Sequence, residues 1–138
     1  MRARNHGVTL LELMIVVAVV AILAGIAYPN YRAHVMRSNR SEARTALMQA
    51  AQSMEQCYTH RRSYLNCPSV KAGATSTGLY SISFAVADIT DHTFTLTAKP
   101  TPLKGQAADA ECAQFQITNV RTSAAKADMT DNSTTCWR

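Results

Sequence analysis

Residues 8 to 28 are apolar except for Thr9, Glu12 and Gly25, and no other stretch constrains this chain so much. As an α-helix rising about 1.5 Å per residue, the run is about 31 Å long, close to the thickness of a bilayer's hydrocarbon core. A short basic leader precedes it, Met1-Arg2-Ala3-Arg4-Asn5-His6-Gly7. Glu12 lies near the start of the run. An ionisable group inside a membrane span is costly unless it is paired, so it marks a functional position.

Three readings compete for this segment. A secretory signal peptide has a shorter apolar core and a small-residue cleavage site after it. Here the run is full length, and Ala27-Tyr28-Pro29 is a poor cleavage site. A plain single-span anchor has no need of Gly7 or Glu12. The third reading cuts before the apolar run, after Gly7, leaving the span attached and a new amine on Val8.

At these residues the chain resembles the type IV pilins, whose precursor signature is a basic leader, a glycine and a T-L-x-E-L core. Gly7-Val8-Thr9-Leu10-Leu11-Glu12-Leu13 matches it, with Val8 where the family usually has phenylalanine. The resemblance implies that a prepilin peptidase removes residues 1–7 and methylates the amine of Val8. It also implies that Glu12 pairs with the amine of a neighbouring subunit during assembly. A carboxylate and an ammonium buried in a helix bundle must neutralise each other, because either alone costs several kcal/mol (on the order of). Thr9-Leu10-Leu11-Glu12 also reads as a capping box, and a Glu in the first turn suits the helix dipole. The two roles are compatible.

The rest of the 138 residues is enough for one domain with a modest core, placed at 29–138. From Asn30 onward there are 12 Lys and Arg against 8 Asp and Glu, a mildly basic balance that permits anionic partners without demanding them. The arginines on either side of the span do not fix its orientation, since Arg32, Arg37 and Arg40 outnumber those of the leader. The four cysteines do. Cys57, Cys67, Cys112 and Cys136 form no C-x-x-C and have no histidine at ligand spacing, so a metal site is not expected. Two disulfides fit an oxidising compartment, which puts the domain outside and the N-terminus inside. Of three possible connectivities, locality favours Cys57–Cys67 and Cys112–Cys136.

Pro29 should bend or interrupt the helix. The pattern then resumes to about residue 60, with Ala43, Leu47, Ala50, Met54 and Cys57 as an apolar seam of helical period. Arg37, Arg40 and Arg44 read as the opposite, solvated or subunit-contacting face. Residues 61–78 carry the glycine, serine, threonine and proline of a loop. Tyr80 to Val86, Thr93 to Ala98 and Gln114 to Thr118 alternate with a period of two, giving a small antiparallel sheet within 79–118. Pro100 and Pro102 end the middle strand. The expected fold class is α+β, a long N-terminal helix packed on that sheet. The segment from Asn119 on is polar and without period, tied down through the disulfide region 112–136, with Trp137 as a packing plug.

Arg37-Ser38-Asn39-Arg40-Ser41-Glu42-Ala43 and the ending Cys136-Trp137-Arg138 resemble PilE/ComP-type minor pilins more than major ones. That branch includes a surface receptor for DNA in natural transformation. The implied partners are other pilin subunits, the pilus assembly machinery, the prepilin peptidase and the inner membrane, with the extracellular pilus as destination. No nucleophile elbow, P-loop, H-E-x-x-H or paired acids are present. No catalytic residue and no cofactor is therefore expected. Two function classes remain. One is a structural minor pilin supporting assembly, adhesion and twitching motility, with a major pilin or type II secretion pseudopilin as the variant. The other is a DNA receptor, using Arg61, Arg62, Lys71, Lys99, Lys104, Arg121 and Lys126 on phosphates.

Overall fold

The computed structural model describes residues 8–65, 67, 72–126, 128 and 130–137, and of Val86, Leu103 and Lys104 the backbone only. The chain divides into two compact units, with the division between Val35 and Met36. Helix α1 spans Leu10–Arg61. Thr9 caps it, its Oγ1 accepting the Glu12 N–H at 3.2 Å. The apolar side chains of its first turns, from Leu10 to Ile26, are exposed, and this helix is long and apolar enough to cross a membrane.

The expected interruption at Pro29 is corrected: Pro29 stands inside the helix. A proline removes one ladder bond and crowds the carbonyl four residues back. That carbonyl belongs to Gly25. The next carbonyl, of Ile26, accepts the Asn30 Nδ2 at 3.2 Å. The turns on either side carry the helix through. α1 ends at Arg61, and Arg62 follows with a left-handed φ of 57°. Its N–H reaches back to the Tyr58 carbonyl at 2.7 Å, closing the last turn as a helix C-cap does.

The sheet has five strands in sequence order, each antiparallel to the next. They are β1 (Gly73–Ala74), β2 (Tyr80–Ser83), β3 (Thr95–Pro100), β4 (Gln114–Thr118) and β5 (Thr122–Ala125). Register sets Ile82 opposite Ala98, Ala98 opposite Phe115, and Phe115 opposite Ala124. These residues, with Tyr80, Leu96 and Ile117, form one buried face. Against them pack Ala43, Leu47, Ala51 and Met54 of α1. An antiparallel sheet with one apolar face needs such a cover, and α1 supplies it. The buried seam uses Ala51 where periodicity pointed to Ala50, which is half-buried beside it.

Three local expectations change. β2 stops at Ser83, because Val86–Asp88 turns as a 3-10 helix in which Asp88 Oδ2 accepts the Ala85 N–H at 3.1 Å. The loop 61–78 contains β1, which pairs with β2. The tail after Asn119 is ordered as β5 and the short helix α2 (Ser133–Cys136). Neither has an apolar period; their partners hold them. Asn132 N–H bonds the Ala124 carbonyl at 2.9 Å. Trp137 Nε1 donates to the Ser123 carbonyl at 2.6 Å, and its ring meets Phe115 edge-on at 6.0 Å.

Cys57 is bonded to Cys67 and Cys112 to Cys136. The second bond joins residues 24 apart and anchors α2 to the start of β4. Closing such a loop restricts the unfolded chain by about 3 kcal/mol in the entropic account. Cys112→Ala with Cys136→Ala is therefore expected to lower the stability of the folded domain by about 2–4 kcal/mol. Urea unfolding of the full chain in detergent, followed by Trp137 fluorescence, measures it; an unchanged midpoint would refute the assignment.

Candidate functional site

Arg40 is the side chain that the sequence reading misplaced. It lies on the buried seam of α1, three residues before Ala43 and seven before Leu47, with its side chain 8% exposed. Its Nε donates to Asp109 Oδ2 at 2.7 Å and its Nη2 to Asp109 Oδ1 at 2.9 Å, a two-pronged pair. The same Nη2 reaches Glu111 Oε2 at 2.8 Å. Burial alone would lower the guanidinium's pKa, but the two carboxylates outweigh it and hold the pKa above its ordinary value.

Around this pair the polar groups are satisfied in turn. Asp109 Oδ1 also accepts the Cys112 N–H at 3.2 Å. Buried Gln106, in the 3-10 segment Leu103–Ala108, donates to the Tyr80 hydroxyl at 2.8 Å and accepts from Asn39 Nδ2 at 3.0 Å. Burial, and then the nearby Asp109 charge, push the Tyr80 phenol up to about 12. The constellation is a structural clamp between α1 and the segment 106–112. At neutral pH the guanidinium stays charged and the phenol stays protonated. Among the described residues, no group of His, Cys, Asp and Glu is placed to hold a metal ion.

The basic residues proposed from sequence fall into two groups. Arg61 and Arg62 close α1, and the chain after them is fastened to the 90–93 turn. Ser63 Oγ donates to Asp91 Oδ1 at 2.6 Å, and Tyr64 N–H to the Asp91 carbonyl at 3.2 Å. That turn is tied to the β4–β5 hairpin, where Asn119 Nδ2 donates to the His92 carbonyl at 3.2 Å. Arg121 belongs to the same hairpin, whose Thr118 N–H bonds the Arg121 carbonyl at 2.8 Å. So Arg61, Arg62 and Arg121, all exposed, share one end of the domain with His92. Lys99 and Lys126 lie at the other end, near the C-terminal ends of β3 and β5. Lys71 lies outside the described residues, and so does the Lys104 side chain.

At the N-terminus, Gly7 lies outside the described residues and Val8 is exposed. The cap on α1 uses the Glu12 backbone N–H rather than its carboxylate. Among the described residues nothing pairs with that carboxylate.

With this geometry in place, comparison with known proteins is informative. Residues 29–116 match a family profile described as "Type IV minor pilin ComP, DNA uptake sequence receptor". Residues 2–28 match the "Prokaryotic N-terminal methylation motif". The chain belongs to the type IV pilin family, and its globular part to the group that this profile collects. Among curated relatives, the "Type IV major pilin protein PilA" of Myxococcus xanthus (strain DK1622) is 44% identical over 63 residues, 46% of this chain and 26% of that protein. A "Type IV major fimbrial protein FimA" of Dichelobacter nodosus is 37% identical over 67 residues, 49% of this chain and 43% of the relative. A "Probable minor fimbrial protein" of the same organism is 46% identical over 57 residues, 39% of this chain and 34% of the relative. The chain thus spans less than half the length of these curated relatives.

The clamp makes a graded prediction. Asp109→Ala leaves Arg40 buried without its two-pronged partner and is expected to destabilise the domain by about 3–5 kcal/mol. Glu111 is half exposed (49%), so Glu111→Ala should cost under about 1 kcal/mol. Urea unfolding of both variants tests the ranking; equal effects would contradict it.

Proposed function

We propose that this chain is a minor subunit of the type IV pilus whose exposed domain receives DNA. The observation that carries this reading is the match of residues 29–116 to a profile described as a minor pilin and DNA uptake sequence receptor. On this reading residues 1–7 are a leader, cut after Gly7, and Val8 becomes the methylated N-terminus. Residues 8–28 hold the subunit in the inner membrane, N-terminus inside, until it enters the extracellular fibre. Glu12 then pairs with the Val8 amine of a neighbour. Its carboxylate suits the task because the helix cap does not use it.

The end of the domain that carries Arg61, Arg62 and Arg121 supports the DNA role. Three guanidiniums carried on segments that are fastened to one another give cationic groups at one end for a phosphate backbone. The second reading, a structural subunit without DNA affinity, is favoured by the names of relatives that are called major pilins or fimbrial proteins. Fibre composition and DNA binding separate the two.

Sheared pili should contain the chain beginning at N-methylated Val8, in substoichiometric amount, and Glu12→Val should reduce that amount while leaving membrane insertion intact. Mass spectrometry of pilus and membrane fractions reads both. A mature chain that keeps Arg2, or equal incorporation of the variant, would overturn the assembly role.

For DNA, the full chain in detergent should bind a short duplex with an affinity that falls as salt rises, by about 0.9 log units per log unit of salt for each phosphate contact. Arg62→Glu with Arg121→Glu should reduce that slope by about two contacts and weaken binding at least about tenfold. Lys99→Glu with Lys126→Glu, at the other end, should do less. Absence of binding at low salt would leave the structural role alone.

A further inference from the structure

The outward face of the sheet carries a cleft of about 340 Å³, away from the arginine end. Its floor is built by three central strands: Ser83 of β2, Thr97 and Lys99 of β3, Gln114 and Gln116 of β4. Ser83 stands opposite Thr97, and Thr97 opposite Gln116, so the floor is fixed by strand register. One wall is the turn that ends β2, with Phe84, Ala85 and Asp88. That turn is braced by Asp88, whose N–H bonds the Ala85 carbonyl at 2.9 Å and whose Oδ2 accepts the Ala85 N–H.

The polar groups of this cleft are largely unspent. Among the described residues, Ser83, Lys99 and Gln114 make no side-chain hydrogen bond, and Gln116 Nε2 reaches Thr97 Oγ1 only at 3.4 Å. Asp88 uses one carboxylate oxygen on the turn and has the other available. The cleft therefore offers a hydroxyl pair, two amides, one ammonium and one carboxylate, with the two charges cancelling. Phe84, half-buried against the core, adds an apolar wall.

A ligand for this surface needs many groups that donate and accept at once, no net charge, and one apolar face. A phosphate backbone fails the second condition, since it needs surplus cations. A nucleobase fails the first condition, since its edges carry separate donors and acceptors and no hydroxyl that is both. A pyranose ring meets all three, with vicinal hydroxyls at its rim and C–H groups on its face. The volume sits at the lower end of the range for small-molecule sites, which suits a single sugar.

We propose that this cleft is a binding site for a neutral hexopyranose unit, so that the domain has a saccharide-recognising face distinct from its arginine end. Thr97, Lys99, Gln114 and Gln116 bond the ring hydroxyls, Asp88 accepts from one of them, and Phe84 lies against the C–H face. The floor of the site is built on strands, so the backbone that carries its donors is fixed before the ligand arrives. It does not depend on the DNA reading, and either can fail alone.

The test is titration of the isotopically labelled full chain, in micelles of a sugar-free zwitterionic detergent, with methyl glycosides of glucose, galactose, mannose and N-acetylglucosamine. At least one should bind saturably and shift the backbone amides of Thr97, Lys99, Gln114 and Gln116. Lys99→Ala with Gln114→Ala, both on the outer face, should weaken that binding at least about tenfold without moving the unfolding midpoint. Arg121→Glu should leave it unchanged. Three results would overturn the proposal: no glycoside binding, binding that survives the double substitution, or preference for methyl glucuronide or inorganic phosphate over the neutral sugars.

Discussion

A charged guanidinium under a sheet is stable only if its partners are fixed there with it, and the domain is arranged to meet that condition. Arg40 enters from α1, Asp109 and Glu111 come from a segment almost seventy residues later, and both carboxylates reach it within 2.9 Å. Asp109 is in turn oriented by Cys112, which is bonded to Cys136 of α2. Asn132 Nδ2, just before α2, donates to the Glu111 carbonyl at 3.0 Å. The helix, the connection into β4 and the C-terminal region are thus joined through one ionic centre. Desolvation makes such a centre a poor source of net stability, but removing one partner from it is severe. Its contribution is to select one seating of the helix against alternatives that would strand the charge.

The apolar seam of α1 and the alternating strands were legible because they repeat: Leu47, Met54, Tyr80, Ile82, Leu96 and Phe115 each stand at a position their period demands. Arg40 was legible in principle, being in phase with Ala43 and Leu47, but its charge argued for solvent, and only its distant partners reverse that. Nothing near Asp109 in sequence announces a buried acid. β1, β5 and α2 were illegible for a different reason. Their residues, such as Gly73, Ala74 and Thr122 to Ala125, carry no pattern of their own and are held by neighbours already in place.

For the candidate site, residue type named the cations but not their distribution. The sequence names seven cations together, whereas strand direction separates Arg61, Arg62 and Arg121 from Lys99 and Lys126. The ties through Asp91, His92 and Asn119 that gather the first group are contacts between turns far apart in the chain, which no local reading contains.

The two ends of the sheet are short: β1 has two residues and β5 has four. An edge strand exposes unpaired N–H and C=O groups, and a long one recruits any neighbour able to extend the ladder. Subunits of a pilus are brought side by side at very high local density, the condition under which edge-to-edge pairing would fuse them into aggregates rather than an ordered fibre. An edge of two residues ending in a glycine-containing turn, and another folded against Asn132 and Trp137, present little ladder to copy. The same brevity leaves association to be governed by helices and side-chain surfaces, which unlike backbone ladders can discriminate between one pilin and another.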